Sequence, residues 1–309
     1  MNLSTACPAK LEEHMRVLSQ NYSIIVCVSM TEISNTNLSQ QVYNVHGGDS
    51  LYNQVSRVLC VLMPRALTIA GFSEHGDLLM IRYSDYQKNL PAWILDFFEH
   101  QFINEPLLSD PHKVTSAFIA GEKGMVVPDV LYNETTAEEW MKSIYFVEGN
   151  ELISKHHLRE DKANYLYAWP GTIKSLMTRY FANARILPFA AYQFYKPYKS
   201  ECSLQCCITG EHVYGTLYNN RMLHWHQVFP YDTPEDIAYH IRLLCQQNDI
   251  DPQRMGLQCT MTNKGLAGVV NELAQFFPDL KDGTGNVGTN DRNWTGTIYL
   301  LQQLYACAL

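Results

Sequence analysis

One order of secondary-structure elements occurs twice in this 309-residue sequence, which limits the folds that it can adopt. Residues 53–198 and 199–309 each predict three consecutive strands, a helix, a further strand and a further helix. Short polar segments separate the three strands of each copy, which is typical of antiparallel hairpins. The predicted hairpin strands are Val58–Met63, Ala66–Phe72 and Asp77–Tyr83 in the first copy, and Ser203–Thr209, Val213–Tyr218 and Met222–Phe229 in the second.

The segments around these hairpins supply helices and further strands. Thr233 followed by Pro, Glu and Asp predicts a well-capped helix start. In the turn 219–221, asparagines suit the left-handed conformation of a tight hairpin. The other predicted elements are helices at 94–102, 136–145, 172–180 (capped by Thr172) and 266–277, strands at 114–119, 164–169 and 257–261, and a helix or strand at 297–304.

Residues 1–52 differ from the rest because they are rich in Ser, Asn, Gln and Gly. They contain one strand-like run, Tyr22–Ser29, and we treat them as an N-terminal extension. A polar segment of this kind can become ordered on contact with a partner. The predicted domains are therefore the extension 1–52, a first lobe 53–198 and a second lobe 199–309.

Several motifs resemble an uncharacterised bacterial domain-of-unknown-function family. They are Met125–Tyr132, Asn164–Pro170, Leu223–Ile237 and Glu272–Phe277, and the resemblance runs from about Val55 to the C-terminus. The family looks like a divergent branch of the actin, sugar kinase and chaperone ATPase superfamily, similar to the actin-like subunits of pilus and secretion machinery. The resemblance and the duplicated pattern together imply two ribonuclease H-like lobes in an actin-like arrangement, with mixed five-stranded sheets and helices.

Active members of that superfamily bind phosphates at the turn between the first two strands of each lobe, with backbone amides and a carboxylate that holds Mg²⁺. In the first lobe this turn is Leu62–Arg65, which has neither glycine nor acid, and Pro64 lacks an amide donor. In the second lobe, Thr209, Gly210 and Glu211 retain one glycine and one carboxylate. Lys264 and Gly265 belong to the turn that would face adenosine. The pattern indicates a degenerate site, with these five residues as the candidate nucleotide contacts.

Other motifs carry less information about function. Gly283–Gly288 matches a dinucleotide fingerprint, but it follows a helix rather than a strand, which favours a loop. His224 and His226 are predicted to share one strand face, with His212 nearby, yet further metal ligands are missing from the pattern. Cys206 and Cys207 should face opposite sides of their strand. The aromatic residues between 165 and 198 suit core and inter-lobe packing.

Composition excludes some partners. A net charge of −8 without a basic stripe argues against nucleic acid, and no apolar run is long enough to span a membrane. Nine scattered cysteines, mostly among apolar residues, favour a reducing compartment, so we expect a cytoplasmic protein. The strand beginning at Val58 also lacks the carboxylates that a two-metal nuclease needs.

Two functional hypotheses remain from the sequence. The first is a non-catalytic actin-like scaffold that binds an unidentified protein partner and uses no cofactor, catalytic residue or metal. The alternative is a nucleotide-dependent ATPase or switch with ATP and Mg²⁺ as cofactors, in which Glu211 holds the metal or orients water and Lys264 neutralises phosphate.

Overall fold

The computed structural model describes residues 38–44, 49–86, 94–195, 202–277, 280 and 292–309. Two segments singled out in the sequence lie outside these residues: the strand-like run 22–29 and the glycine motif 283–288. The boundary of the N-terminal extension at residue 52 stays a prediction, although residues 38–44 form a strand.

The first-lobe sheet is built on the predicted hairpins. Its first five strands are β1 (Leu38–Asn44), β2 (Arg57–Leu62), β3 (Ala66–Phe72), β4 (Leu78–Tyr86) and β5 (Val114–Ile119), and helix α1 (Ile94–Asn104) precedes β5. β2, β3 and β4 pair antiparallel, as predicted, and β5 lies parallel to β2. Every residue of β3 is buried, as expected for a central strand with both faces covered.

A small three-stranded sheet is inserted after β5. Its elements are β6 (Lys123–Pro128), helix α2 (Ala137–Ile144), β7 (Glu151–Leu158) and β8 (Ala163–Pro170), with β8 in the centre. The chain then returns to the first lobe through helix α3 (Gly171–Tyr180), strand β9 (Arg185–Pro188) and helix α4 (Ala191–Tyr195). β9 pairs parallel with β5, which gives the first-lobe sheet the order β1-β4-β3-β2-β5-β9.

The second lobe repeats the same strand order. It contains β10 (Cys202–Ile208), β11 (His212–Asn219), β12 (Met222–Pro230), helix α5 (Pro234–Gln247), β13 (Gly256–Met261), helix α6 (Ala267–Leu273) and helix α7 (Thr295–Ala308). The sheet order is β12-β11-β10-β13, with β13 parallel to β10. This order matches β4-β3-β2-β5 of the first lobe, so the predicted duplication is confirmed.

The prediction of five strands in each sheet was wrong. The first-lobe sheet has six strands because β1 pairs with the outer edge of β4 and β9 pairs with β5, whereas the predicted strand 164–169 is β8 of the small sheet. The second-lobe sheet has four strands among the described residues. The segment at 297–304, left open as helix or strand, lies within helix α7. Helix α6 also ends earlier than predicted, and α3 has Pro170 rather than Thr172 at its N-cap, without a side-chain cap.

Local turn and cap chemistry was predicted correctly in the second lobe. Thr233 and Asp236 form a complete capping box at the start of α5. Asn220 and Arg221 have φ angles of 52° and 62°, the left-handed conformation that the tight β11–β12 turn requires. Short 3-10 helices complete the described structure at Asp49–Gln54, Pro106–Leu108, Pro111–Lys113, Lys264–Leu266 and Arg292–Trp294.

The two lobes share a continuous apolar core. Cys207 and Tyr214 of the second lobe belong to the same buried cluster as the first-lobe strands. Cys206 lies in the separate core of the second lobe, so the two cysteines face opposite ways, as predicted. Helix α7 adds Ile298 and Leu304 to the shared cluster, and its Tyr305 ring stacks on Phe72 of β3 at 4.2 Å between centroids. Helix α7 of the second lobe therefore packs against the first lobe and connects the two.

Candidate functional site

The turns predicted to hold phosphates meet across the boundary between the lobes. Arg65 lies in the β2–β3 turn and Glu211 in the β10–β11 turn, and the distance from Arg65 Nη1 to Glu211 Oε1 is 2.8 Å. Both side chains keep some solvent contact, with 42% and 35% of their surface exposed. A pair at this exposure stabilises folding by about 1 kcal/mol at most. Its main consequence is that the carboxylate of Glu211 already has a cation beside it.

A second carboxylate also lies close to Arg65. Asp85 of β4 pairs with Ala66, the residue after Arg65, and accepts a hydrogen bond from the Tyr83 hydroxyl. Burial raises the pKa of Asp85, and the Tyr83 hydrogen bond and the Arg65 charge oppose that shift. The guanidinium of Arg65 therefore has acidic neighbours from both lobes.

The β10–β11 turn uses its own polar groups internally. The backbone N–H and the hydroxyl of Thr209 both donate to the carbonyl oxygen of His212 at 2.9 Å, and the N–H of His212 donates to Thr209 Oγ1 at 3.0 Å. The Tyr231 hydroxyl donates to the Thr209 carbonyl at 2.7 Å. Two of the amides that a phosphate cradle would need are thus occupied.

The turn expected to face adenosine lies beside the β10–β11 turn. The Thr262 N–H donates to the Ile208 carbonyl at 3.1 Å, which places the ends of the parallel strands β13 and β10 side by side. All five predicted contact residues therefore lie on two neighbouring turns at one sheet edge, but their role in binding stays a prediction. Lys264 Nζ is 5.6 Å from the centroid of the Trp294 ring.

Strand β1 contacts the turn after β13, which contains Asn263, Lys264 and Gly265 and is called the third turn below. The sequence did not predict this contact. The Gln41 side chain donates from Nε2 to Asn263 Oδ1 at 3.4 Å, and the same oxygen accepts the Gly265 N–H at 2.9 Å. Tyr43 of β1 packs on Trp294 with centroids 5.6 Å apart. A strand from the predicted extension therefore covers part of the expected adenosine corner.

Gln193 of α4 is the main polar link between the lobes, and the sequence carried no signal for it. Its side chain is fully buried. Nε2 donates to the Tyr214 carbonyl at 2.9 Å, and Oε1 accepts from the Thr216 hydroxyl at 3.0 Å. Its backbone carbonyl accepts from the Tyr218 hydroxyl at 3.4 Å. One residue therefore connects α4 to three positions of β11.

The predicted histidine pair does not form. A β-bulge shifts the register between β11 and β12 so that His224 has no partner residue on β11, and alternation along the strand is broken. His224 is exposed, whereas the ring of His226 packs between Tyr165 and Phe194. His212 lies near Glu122 instead, with 3.8 Å between His212 Nε2 and Glu122 Oε1. Within the described ranges, no group of three His, Cys, Asp or Glu side chains could hold a metal ion.

The buried position of His226 predicts that the free energy of unfolding falls at acid pH. Burial lowers its pKa from 6.5 to about 3, so the folded protein holds it neutral while the unfolded chain binds a proton near pH 6.5. Its contribution is complete above pH 6.5 and is lost as the pH falls from 6.5 toward 3. In that window we expect His226→Gln to reduce the slope of unfolding free energy against pH, by up to about 1.4 kcal/mol per pH unit.

Chemical denaturation of the wild type and His226→Gln at a series of pH values measures this slope. His224→Gln, which changes an exposed histidine two residues away, is the matched control and should keep the wild-type slope. Equal slopes for all three proteins would show that His226 titrates normally in the folded state.

Comparison with known proteins identifies the family. The family model described as "Protein of unknown function (DUF3822)" matches residues 61–280. The chain belongs to the DUF3822 family. The match runs from the last two residues of β2 to the segment that follows α6, and therefore includes all five candidate contact residues. A search of curated proteins gave no match.

Solved structures place this DUF3822 chain in the actin-like ATPase fold. A protein of Bacteroides thetaiotaomicron VPI-5482, described as having an actin-like ATPase fold and unknown function, matches with a TM-score of 0.67 and 14% identity. The match covers 85% of this chain and 100% of that one. A chain of the PilM-PilN type IV pilus biogenesis complex matches with a TM-score of 0.53 and 10% identity, covering 82% and 99%. Across the part of the chain that the structure describes, no helix has the length and apolar character to cross a membrane.

Proposed function

We propose that this protein is a non-catalytic actin-like scaffold that binds a protein partner. The observation that carries the proposal is the ion pair between Arg65 and Glu211, which joins the two turns that would otherwise enclose the phosphates of a nucleotide. Each lobe contributes one residue to the pair, so the pair favours a closed arrangement of the two lobes. A scaffold needs a fixed relative position of its lobes more than it needs an open cleft.

The chemistry of the same corner also supports the proposal. A carboxylate that holds Mg²⁺ must be free to coordinate it, and Glu211 already contacts a guanidinium. Pro64 cannot donate an amide hydrogen bond, and the amides of Thr209 and His212 are bonded within their own turn. ATP hydrolysis would require these contacts to be broken before the phosphates and the metal could be held.

The fold is compatible with binding to another protein. One structure that shares the fold is described as a PilM-PilN complex, so an actin-like protein of that kind is found with a partner. At 10% identity the similarity extends to the fold alone, and the partner of the present chain is proposed only as a protein.

Calorimetric titration with Mg-ATP tests the proposal. We expect no saturable heat, which corresponds to a dissociation constant weaker than about 1 mM. Glu211→Ala and Lys264→Ala should behave like the wild type, as should Glu272→Ala, which changes an exposed acid on α6. Micromolar binding that weakens in the first two variants and not in the third would contradict the scaffold proposal.

One observation favours the alternative, a nucleotide-dependent switch. Gln41 Oε1 and Thr262 Oγ1 are buried beside the third turn and have no hydrogen-bond partner among the described residues. Both are acceptors, and buried acceptors are costly to leave unpaired. A nucleobase amino group could donate to them, with Lys264 near the phosphates. The same titration separates the two proposals, because the switch requires saturable binding that depends on Glu211 and Lys264.

A further inference from the structure

A cavity of about 450 Å³ lies at one end of the first-lobe sheet. The opposite end carries the β2–β3 turn with Arg65, which meets Glu211 of the second lobe and is called the phosphate corner here. Three elements form the cavity: the β7–β8 hairpin, the start of β9 with α4, and the end of α7. Arg185 is the first residue of β9, whereas the phosphate turns follow the last residues of the parallel strands. The cavity therefore belongs to a different site from the one described above.

The cavity has an apolar wall. Leu158, Ala191 and Phe194 line it, and each of these residues is buried in the fold. Cys307 of α7 also lines it and is partly buried. A volume of this size suits a small organic molecule, since ligand pockets commonly range from about 300 to 1,000 Å³.

The polar lining is cationic at the end formed by β9. Arg185 donates from Nη1 to the Ala308 carbonyl at 3.4 Å, and its charge contributes, after burial, to lowering the pKa of the neighbouring His156. Arg159 also lines the cavity, and neither arginine forms an ion pair with any described carboxylate. An arginine without an acidic partner can bind a planar carboxylate through two parallel hydrogen bonds.

Two acidic residues, Glu160 and Asp161, also line the cavity, at the β7–β8 turn. Burial raises the pKa of Asp161, and a hydrogen bond from the backbone of Leu223 on β12 opposes this shift. Asp161 and Glu160 also raise the pKa of Tyr218 on β11, although burial of that tyrosine is the larger cause. Asp161 is therefore held by the second lobe through Leu223, whereas Arg185 is hydrogen-bonded to the end of α7.

From this arrangement we propose that the cavity binds a small organic carboxylate with an apolar body. The carboxylate contacts Arg185, with His156 beside it, and the apolar body packs against Leu158 and Phe194. This inference does not rest on the proposed scaffold function, because no residue of the phosphate corner lines the cavity.

Calorimetric titration of the full chain with phenylacetate tests the proposal. We expect saturable binding, and Arg185→Gln should weaken it about tenfold or more because a charge-assisted hydrogen bond is lost. Phenylacetamide, which has the same body without the charge, should bind correspondingly weakly, and inorganic phosphate should not match phenylacetate. Arg254→Gln, at an arginine that is 88% exposed and outside the cavity, is the control for removing one positive charge.

A second measurement does not depend on how well a variant folds. Phenylacetate should slow alkylation of Cys307 in the wild type, measured residue by residue by mass spectrometry, while alkylation of Cys202 on β10 stays unchanged. Absence of saturable phenylacetate binding, equal affinity in Arg185→Gln, or equal affinity for phenylacetamide would each overturn the proposal. Phosphate binding as tight as that of phenylacetate would also overturn it, because the apolar wall would then contribute nothing.

Discussion

Gln193→Leu is expected to lower the free energy of unfolding by about 2 kcal/mol. The buried Tyr214 carbonyl loses a donor and the buried Thr216 hydroxyl loses one of its two partners, and leaving a buried group unsatisfied costs about 1 to 3 kcal/mol. Leucine fills nearly the same volume, so packing alone would predict a small effect. The Tyr214 carbonyl loses the donor at 2.9 Å, and the Thr216 hydroxyl loses the acceptor at 3.0 Å. Thr216 keeps its contact with His226 Nδ1 at 2.8 Å, so the loss at Thr216 is partial and the Tyr214 carbonyl carries most of the expected effect.

Urea denaturation followed by tryptophan fluorescence measures this change. Gln247→Leu makes the same chemical substitution at an exposed position at the end of α5, and we expect it to alter stability by less than about 0.5 kcal/mol. A result for Gln193→Leu as small as that of the control would show that water replaces the lost hydrogen bonds, and that Gln193 does not link the lobes energetically.

Gly124→Ala is expected to destabilise the protein by about 3 kcal/mol, at the upper end of the usual cost of overpacking. A Cβ at this position of β6 would overlap the Tyr165 hydroxyl oxygen and would lie 2.5 Å from its Cζ. Tyr165 is only 2% exposed, and the rings of Tyr167, Phe194 and His226 surround it. The ring has no free space to move into, so the strand or the inter-lobe packing must shift.

The matched control for this variant is Gly149→Ala, because no heavy atom lies within 4 Å of the added Cβ there. Combining Gly124→Ala with Tyr165→Phe removes the oxygen nearest to the new methyl group, so the double variant should recover part of the lost stability. Thermal and urea denaturation of the wild type, Gly124→Ala, Tyr165→Phe and the double variant give the coupling energy between the two substitutions. Additive effects of the two substitutions would mean that the clash with Tyr165 is not the cause.

The hairpin strands of both lobes were predicted within one to three residues at their ends. Alternation and turn residues are local signals, and Asn220 or the capping box of Thr233 act over three or four positions. The small sheet was predicted only in part. β8 is almost wholly buried and was recognised, but β7 contains Lys155, His156 and His157 and exposes several side chains, so its pattern did not stand out as a strand.

In the candidate site, too, local features were predicted from the sequence and contacts between distant residues were not. The sequence showed that the first phosphate turn lacks glycine and acid, because that property is carried by four consecutive residues. It could not show that Arg65 reaches Glu211, since that ion pair depends on how the two lobes are placed. The same-face prediction for His224 and His226 was wrong because a β-bulge depends on the partner strand as well as on the residues themselves.

The duplicated α/β order, the hairpins, the main helices and the lack of glycine and acid in the β2–β3 turn can all be read from the sequence, because each of these is a property of near neighbours in the chain. Three features depend on the folded arrangement instead: β1 joins the edge of the first-lobe sheet, Gln193 and α7 connect the lobes, and Arg65 pairs with Glu211. Those contacts join residues far apart in sequence, and their free energy depends on burial and distance that no local pattern records.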